Sequence, residues 1–135
     1  MISAINYQLP MLVLGILARF AGNREDTKKA KSIAIEAKKL ASEAKQENKH
    51  GEMAKSLSGK SADAKERQAF AAIAVWHYER SARKYAAATE KLDSVLHLDL
   101  SKRNANYLSS KRSEFARFSG ETNRQAVQIQ TTINQ

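Results

Sequence analysis

The chemistry open to this chain rests first on its basic residues. In the C-terminal third, Arg103, Arg117 and Arg124 recur at multiples of seven, with Ser110 at the intervening position. At ~100° per residue, Lys102, Arg117 and Arg124, with Ser109 and Ser113, lie broadly opposite Leu108, Phe115 and Ile129. Guanidinium and ammonium groups bring charge to phosphate oxygens and a serine hydroxyl brings a short donor, so such a stripe suits a nucleic-acid backbone. Residues 101–135 hold six basic and two acidic side chains, whereas residues 71–100 hold four of each. The expected phosphate contacts are Arg103, Lys111, Arg117 and Arg124, with Lys28, Lys29, Arg80 and Arg83 secondary. The clusters Lys28-Lys29-Ala30-Lys31 and Lys38-Lys39 are diluted by the glutamates between them.

Other combinations offer less. Ser58-Gly59-Lys60-Ser61 has the form of the end of a phosphate-binding loop. That motif requires a glycine five residues before Gly59, where this chain has Ala54, and a preceding strand. A helix-to-helix turn accounts for the segment. Glu47-Asn48-Lys49-His50 is a Glu-x-x-His pair, which di-iron bundles use twice together with two further glutamates. Here it occurs once, so a solvated helix end explains it and no metal or cofactor is expected. His77 beside Trp76 and Tyr78, and Asp93 four residues before His97, come with no nucleophile, oxyanion site or cleft. An enzyme is not expected. With no cysteine, disulfides, thiolate metal sites and cysteine nucleophiles are excluded.

These residues are carried by helices. One proline and five glycines in 135 residues leave few breakers, and 42% hydrophobic residues exclude a disordered tail. The expected fold is all-α: an elongated antiparallel bundle of three long helices plus a short apolar N-terminal helix. Residues 1–22 form an N-terminal arm and helix, and residues 23–135 the amphipathic bundle. The arm spans residues 1–9 and the short helix 10–21, with Pro10 in its first turn and Gly22-Asn23 as its stop. Asn23 caps the second stretch, with Glu25 and Asp26 in its first turn. This stretch runs to about His50-Gly51 on a stripe of Ala30, Ile33, Ala34, Ala37, Leu40, Ala41 and Ala44. A weaker extension continues through Met53, Ala54 and Leu57. Ser61 caps the longest helix, about 62–98, whose seam is Ala71, Val75, Tyr78, Ala82, Tyr85, Thr89, Leu92 and Leu96. Ser101 caps the last, with Ala105, Leu108, Phe115, Ala126, Ile129 and Ile133 on one side. Gly120 interrupts it, and Thr122 restarts it with a capping box.

The N-terminal helix is apolar on every face, through Met11, Leu12, Val13, Leu14, Ile16 and Leu17, and must be buried or in lipid. It lacks the basic start and cleavage site of a secretory signal. Leu9–Ala18 is also short of the ~20 residues a membrane span requires. Burial against other subunits is the preferred reading, with Leu12, Val13, Ile16, Leu17 and Trp76 as the oligomer contacts. Membrane contact through residues 9–21 is the alternative.

The formal charge of +9 attracts polyanions. The composite expectation is a non-enzymatic structural protein of the filament, coat or nucleocapsid kind. It assembles with itself and binds nucleic acid, DNA and RNA undistinguished, without sequence specificity, in a virion or the cytoplasm. The alternatives are a membrane-active or secreted filament, pilus or translocator component and a helical adaptor.

Overall fold

The computed structural model describes residues 22–134. They form three long helices: α1, Arg24–Lys60; α2, Ala64–Asp93; and α3, Lys102–Ile133. The expected all-α bundle is present in these residues. Residues 1–21, which include the apolar helix expected over 10–21 and the contacts Leu12, Val13, Ile16 and Leu17, lie outside the described residues.

Two of the three starts are written in the sequence. The Asn23 side chain accepts hydrogen bonds from the Glu25 and Asp26 amides at 2.8 and 3.1 Å. That of Ser101 accepts from the Asn104 amide at 3.1 Å. The start of α2 is different from expectation. Ser61 is the C-cap of α1, its hydroxyl donating to the Leu57 carbonyl at 2.9 Å, and Asp63 is the N-cap of α2. The Arg67 guanidinium secures this turn by donating to the Ser61 and Ala62 carbonyls at 3.2 and 2.8 Å. At 37 residues α1 is longer than α2, which has 30 and stops at Asp93 rather than near residue 98.

Neither expected glycine break occurs. Gly51 lies inside α1, where a Cβ would stand 3.0 Å from the Tyr78 ring of α2. The missing side chain makes room for an aromatic one, so tertiary packing overrides the weak helix propensity of glycine. Gly120 lies inside α3 with open space around it. Thr122 does not restart a helix: it is buried, and its hydroxyl donates back to the Phe118 carbonyl at 2.7 Å. Replacing Gly120 with alanine should therefore stabilise the protein by about 0.5–1 kcal/mol. A melting temperature a few degrees higher is the expected result.

Helix α2 is the centre of the bundle. It packs antiparallel against both α1 and α3, which run parallel to each other and scarcely meet. One core cluster joins Ala30, Ala37 and Ala44 of α1 to Tyr85, Ala88 and Leu92 of α2 and Leu108 and Phe115 of α3. A second gathers Ala54, Ala74, Val75, Tyr78 and Ala126. The expected α2 seam is buried from Val75 to Leu92, but α2 also buries Ala74, Ser81 and Ala88 at a seven-residue period. These small residues allow α1 to approach, and the Ser81 hydroxyl donates to the Ala44 carbonyl at 2.7 Å.

A ladder of ion pairs follows the same register. Glu36 meets Lys91 at 3.1 Å, Glu43 meets Lys84 at 3.2 Å and Glu47 meets Arg80 at 3.1 Å. Each step up α1 is matched by the same step down α2. Exposed pairs of this kind contribute about 0–1 kcal/mol each, so the ladder bears on register more than on stability. At one end, Gly22 adopts φ 82° and bridges to Leu100, and the Asn23 amide donates to the Asp99 carbonyl at 2.8 Å. A Cβ on Gly22 would come within 2.6 Å of that carbonyl oxygen, and its positive φ also disfavours any side chain.

Candidate functional site

The ladder determines where the charge of α1 is spent. Glu36, Glu43 and Glu47 turn towards α2 and are paired there. On the other flank, Lys31, Lys38 and Lys45 repeat every seven residues along the groove between α1 and α3. No ion pair involves these three lysines among the described residues. Between Lys38 and Gln125 the groove has a volume of about 590 Å³, with Tyr85, Phe115 and Phe118 among its lining. Further along, the ammonium of Lys38 lies 5.6 Å from the centre of the Tyr107 ring.

The second rim belongs to α3. By helical spacing, Arg103, Ser110, Arg117 and Arg124 share a face just outside the α3 residues lining this groove. All four are exposed. The Arg117 guanidinium stacks 5.1 Å from the centre of the Phe118 ring, and its Nε lies 3.9 Å from Glu121. Lys111 sits closer to the bundle and pairs with Glu114 at 3.3 Å. The α1 rim is therefore purely basic, whereas the α3 side lines the groove with Glu114 and Glu121 and carries its arginines on the adjoining face.

The arginine stripe on α3 is visible in the sequence, whereas Lys31 and Lys38 are obscured there by the glutamates between their clusters and Lys45 belongs to neither cluster. The signal for Lys31, Lys38 and Lys45 was their heptad spacing, in phase with the buried Ala30, Ala37 and Ala44. The secondary residues do not join this face. Arg83 lies on the outer side of α2, Lys28 and Lys29 are exposed away from the groove, and Arg80 is held by Glu47.

On the opposite side of the bundle, α1 and α2 form a second group. The Arg80 guanidinium lies 4.5 Å from the centre of the Trp76 ring, which is 51% exposed. Ile73, Met53 and Leu57 are exposed as well. Ile73 lies three residues from Trp76, Met53 three from His50 and Leu57 four from Met53, and the His50 and His77 rings meet edge to face. Beneath this apolar surface, His77 Nδ1 is 2.7 Å from Glu47 Oε2 and Arg80 Nε donates to Glu47 Oε1.

Burial raises the pKa of the Glu47 carboxyl. Hydrogen bonds from His77 and Arg80, and then their charges, outweigh it, so the carboxyl lies below its ordinary value of 4.5. A depressed carboxylate contributes stability that is complete above that value and is lost as pH falls through the folded pKa. The melting temperatures of wild type and Glu47→Gln should therefore differ at neutral pH and converge below about pH 4. A gap that stays constant would contradict this.

No family model matches the chain, and neither curated proteins nor solved structures match it.

Proposed function

We propose that this chain is a non-enzymatic structural subunit that binds nucleic-acid backbone along the α1–α3 groove and assembles with its own copies. The observation that carries the reading is the division of charge. Glu36, Glu43 and Glu47 of α1 are engaged by α2, while Lys31, Lys38 and Lys45 line the groove; on its α3 side Glu114 and Glu121 line it too, with Arg103, Arg117 and Arg124 on the adjoining exposed face. Two roughly parallel basic rows along rod-like helices suit a linear polyanion. They offer point charges and few shaped pockets for base edges, which favours binding without sequence specificity.

Assembly would use the opposite side, where α1 exposes Met53 and Leu57 and α2 exposes Ile73 and Trp76. Aromatic residues of this kind are common anchors between subunits. The apolar residues Leu12, Val13, Ile16 and Leu17 would add to that contact. Replacing both Leu12 and Ile16 with aspartate should reduce particle size while leaving helicity intact, as read by light scattering and circular dichroism. Unchanged particles would remove these residues from the interface.

The function itself is tested by salt. With about five or six phosphates neutralised per subunit, affinity for a long duplex should fall by roughly 10³-fold between 50 and 200 mM salt. Equal binding at 50 and 500 mM would refute the proposal. Nuclease treatment of assembled material should leave a protected strand, and its sugar would show whether DNA or RNA is bound.

A further inference from the structure

The group beneath the apolar surface has a composition that neither assembly nor polyanion binding requires. Glu47 and His50 stand one turn apart on α1, and His77 faces them from α2. One ligand atom from each lies within 4.8 Å of the others. The sequence presents only the Glu-x-x-His half; the third group appears once the register of α1 and α2 is set. We propose that Glu47, His50 and His77 bind a single divalent transition-metal ion of the zinc class, on the face opposite the basic groove.

Two imidazoles and one carboxylate select this class over magnesium or calcium, which take oxygen donors. Three protein ligands leave a position open to water, as in zinc sites of the His₂Glu type. The donor set needs little rearrangement. Glu47 and His77 are already in contact at 2.7 Å. His50 is exposed, its ring edge-on to that of His77 with centres 5.2 Å apart, so it has room to swing inwards. Glu47 uses one oxygen for Arg80, at 3.1 Å, and this bond would orient the carboxylate while the other oxygen takes the ion. The guanidinium also opposes a cation through its charge. Its stacking on Trp76 and its exposure to solvent reduce that opposition.

Trp76, the single tryptophan, lies 4.8 Å from the His77 ring and serves as a local reporter. The full chain would be titrated at pH 7.5 with Zn²⁺ by calorimetry and with Co²⁺ by tryptophan fluorescence. The expected result is one ion per chain, saturable quenching by Co²⁺ that Zn²⁺ reverses, and no response to millimolar Mg²⁺. His50→Gln should weaken binding by at least the ~10–100-fold that loss of an outer-sphere partner causes. It removes an exposed ring with no hydrogen bond among the described residues, so folding is spared, and circular dichroism verifies this. His97→Gln, remote from the cluster, should bind like wild type. Absence of saturable binding below about 1 mM, or undiminished binding by His50→Gln, would overturn the proposal.

Discussion

Replacing Tyr78 with alanine should destabilise the protein by about 3–5 kcal/mol, the usual cost of deleting a buried aromatic ring. For a domain whose total stability is about 5–15 kcal/mol, that is a large fraction. The ring is 1% exposed and packs directly on Gly51, in the core cluster farther from the Gly22–Leu100 bridge. Burial first, and the Glu52 carboxylate second, push its phenol above the ordinary tyrosine value, so the side chain stays neutral well into the alkaline range. Chemical denaturation should show the loss, with a melting temperature lower by about 10–20 °C. The complementary change, Gly51→Leu, forces a side chain into the same space and should cost about 1–3 kcal/mol. Combining the two should cost less than their sum, because the deletion vacates the space the leucine needs. Strict additivity would show that Gly51 and Tyr78 are not packed as described.

The second large effect concerns binding. Changing Lys31, Lys38 and Lys45 together to glutamine removes three charges from one rim and leaves the ion-pair ladder untouched. If each meets a phosphate, the slope of log affinity against log salt should fall by about 2.7, and duplex affinity at 50 mM salt on the order of 10³-fold. Changing Lys84 and Lys91 to glutamine removes charges already paired with Glu43 and Glu36, so the slope should barely move. The contrast separates a located interface from simple attraction to net charge. Equal losses per charge in the two variants would mean that the groove is not the binding surface.

The parts of this architecture legible in the sequence are those decided within one turn of helix or by a strong apolar period. Asn23 and Ser101 show as caps because a short polar side chain precedes an amphipathic run. Ala30, Ala37 and Ala44 show as a buried stripe, as do Val75, Tyr78, Tyr85 and Leu92. What was not legible depends on a neighbouring helix. Ser61 has the chemistry of either kind of cap, and the backbone on both sides decides which it becomes. Gly51 reads as a stop until Tyr78 is placed against it. Ser81 lies outside the apolar seam, and its burial depends on the Ala44 carbonyl that accepts its hydroxyl. The candidate sites divide similarly. The arginine face of α3 follows from spacing alone, whereas Lys31, Lys38 and Lys45 stand out only once α2 has engaged the glutamates beside them. Joining His77 to Glu47, 30 residues away in sequence, and to His50 requires the register of two helices.

The odd number of helices among the described residues has a directional consequence. Residue 22 lies where α1 and α3 begin, pinned to Leu100, and residue 133 lies at the far end of α3. At 1.5 Å per residue the 32 residues of α3 put roughly 50 Å between these points. The described body is a vector, one end made by the starts of α1 and α3 with the end of α2, and the other by the ends of α1 and α3 with the start of α2. Copies joined end to end bring unlike surfaces together, the heterologous geometry that propagates into an open array unless a rotation closes it into a ring. Fluorophores at the exposed positions Arg24 and Asn134 would measure the length of that vector in a single copy, and in an array the shorter distance between neighbouring copies.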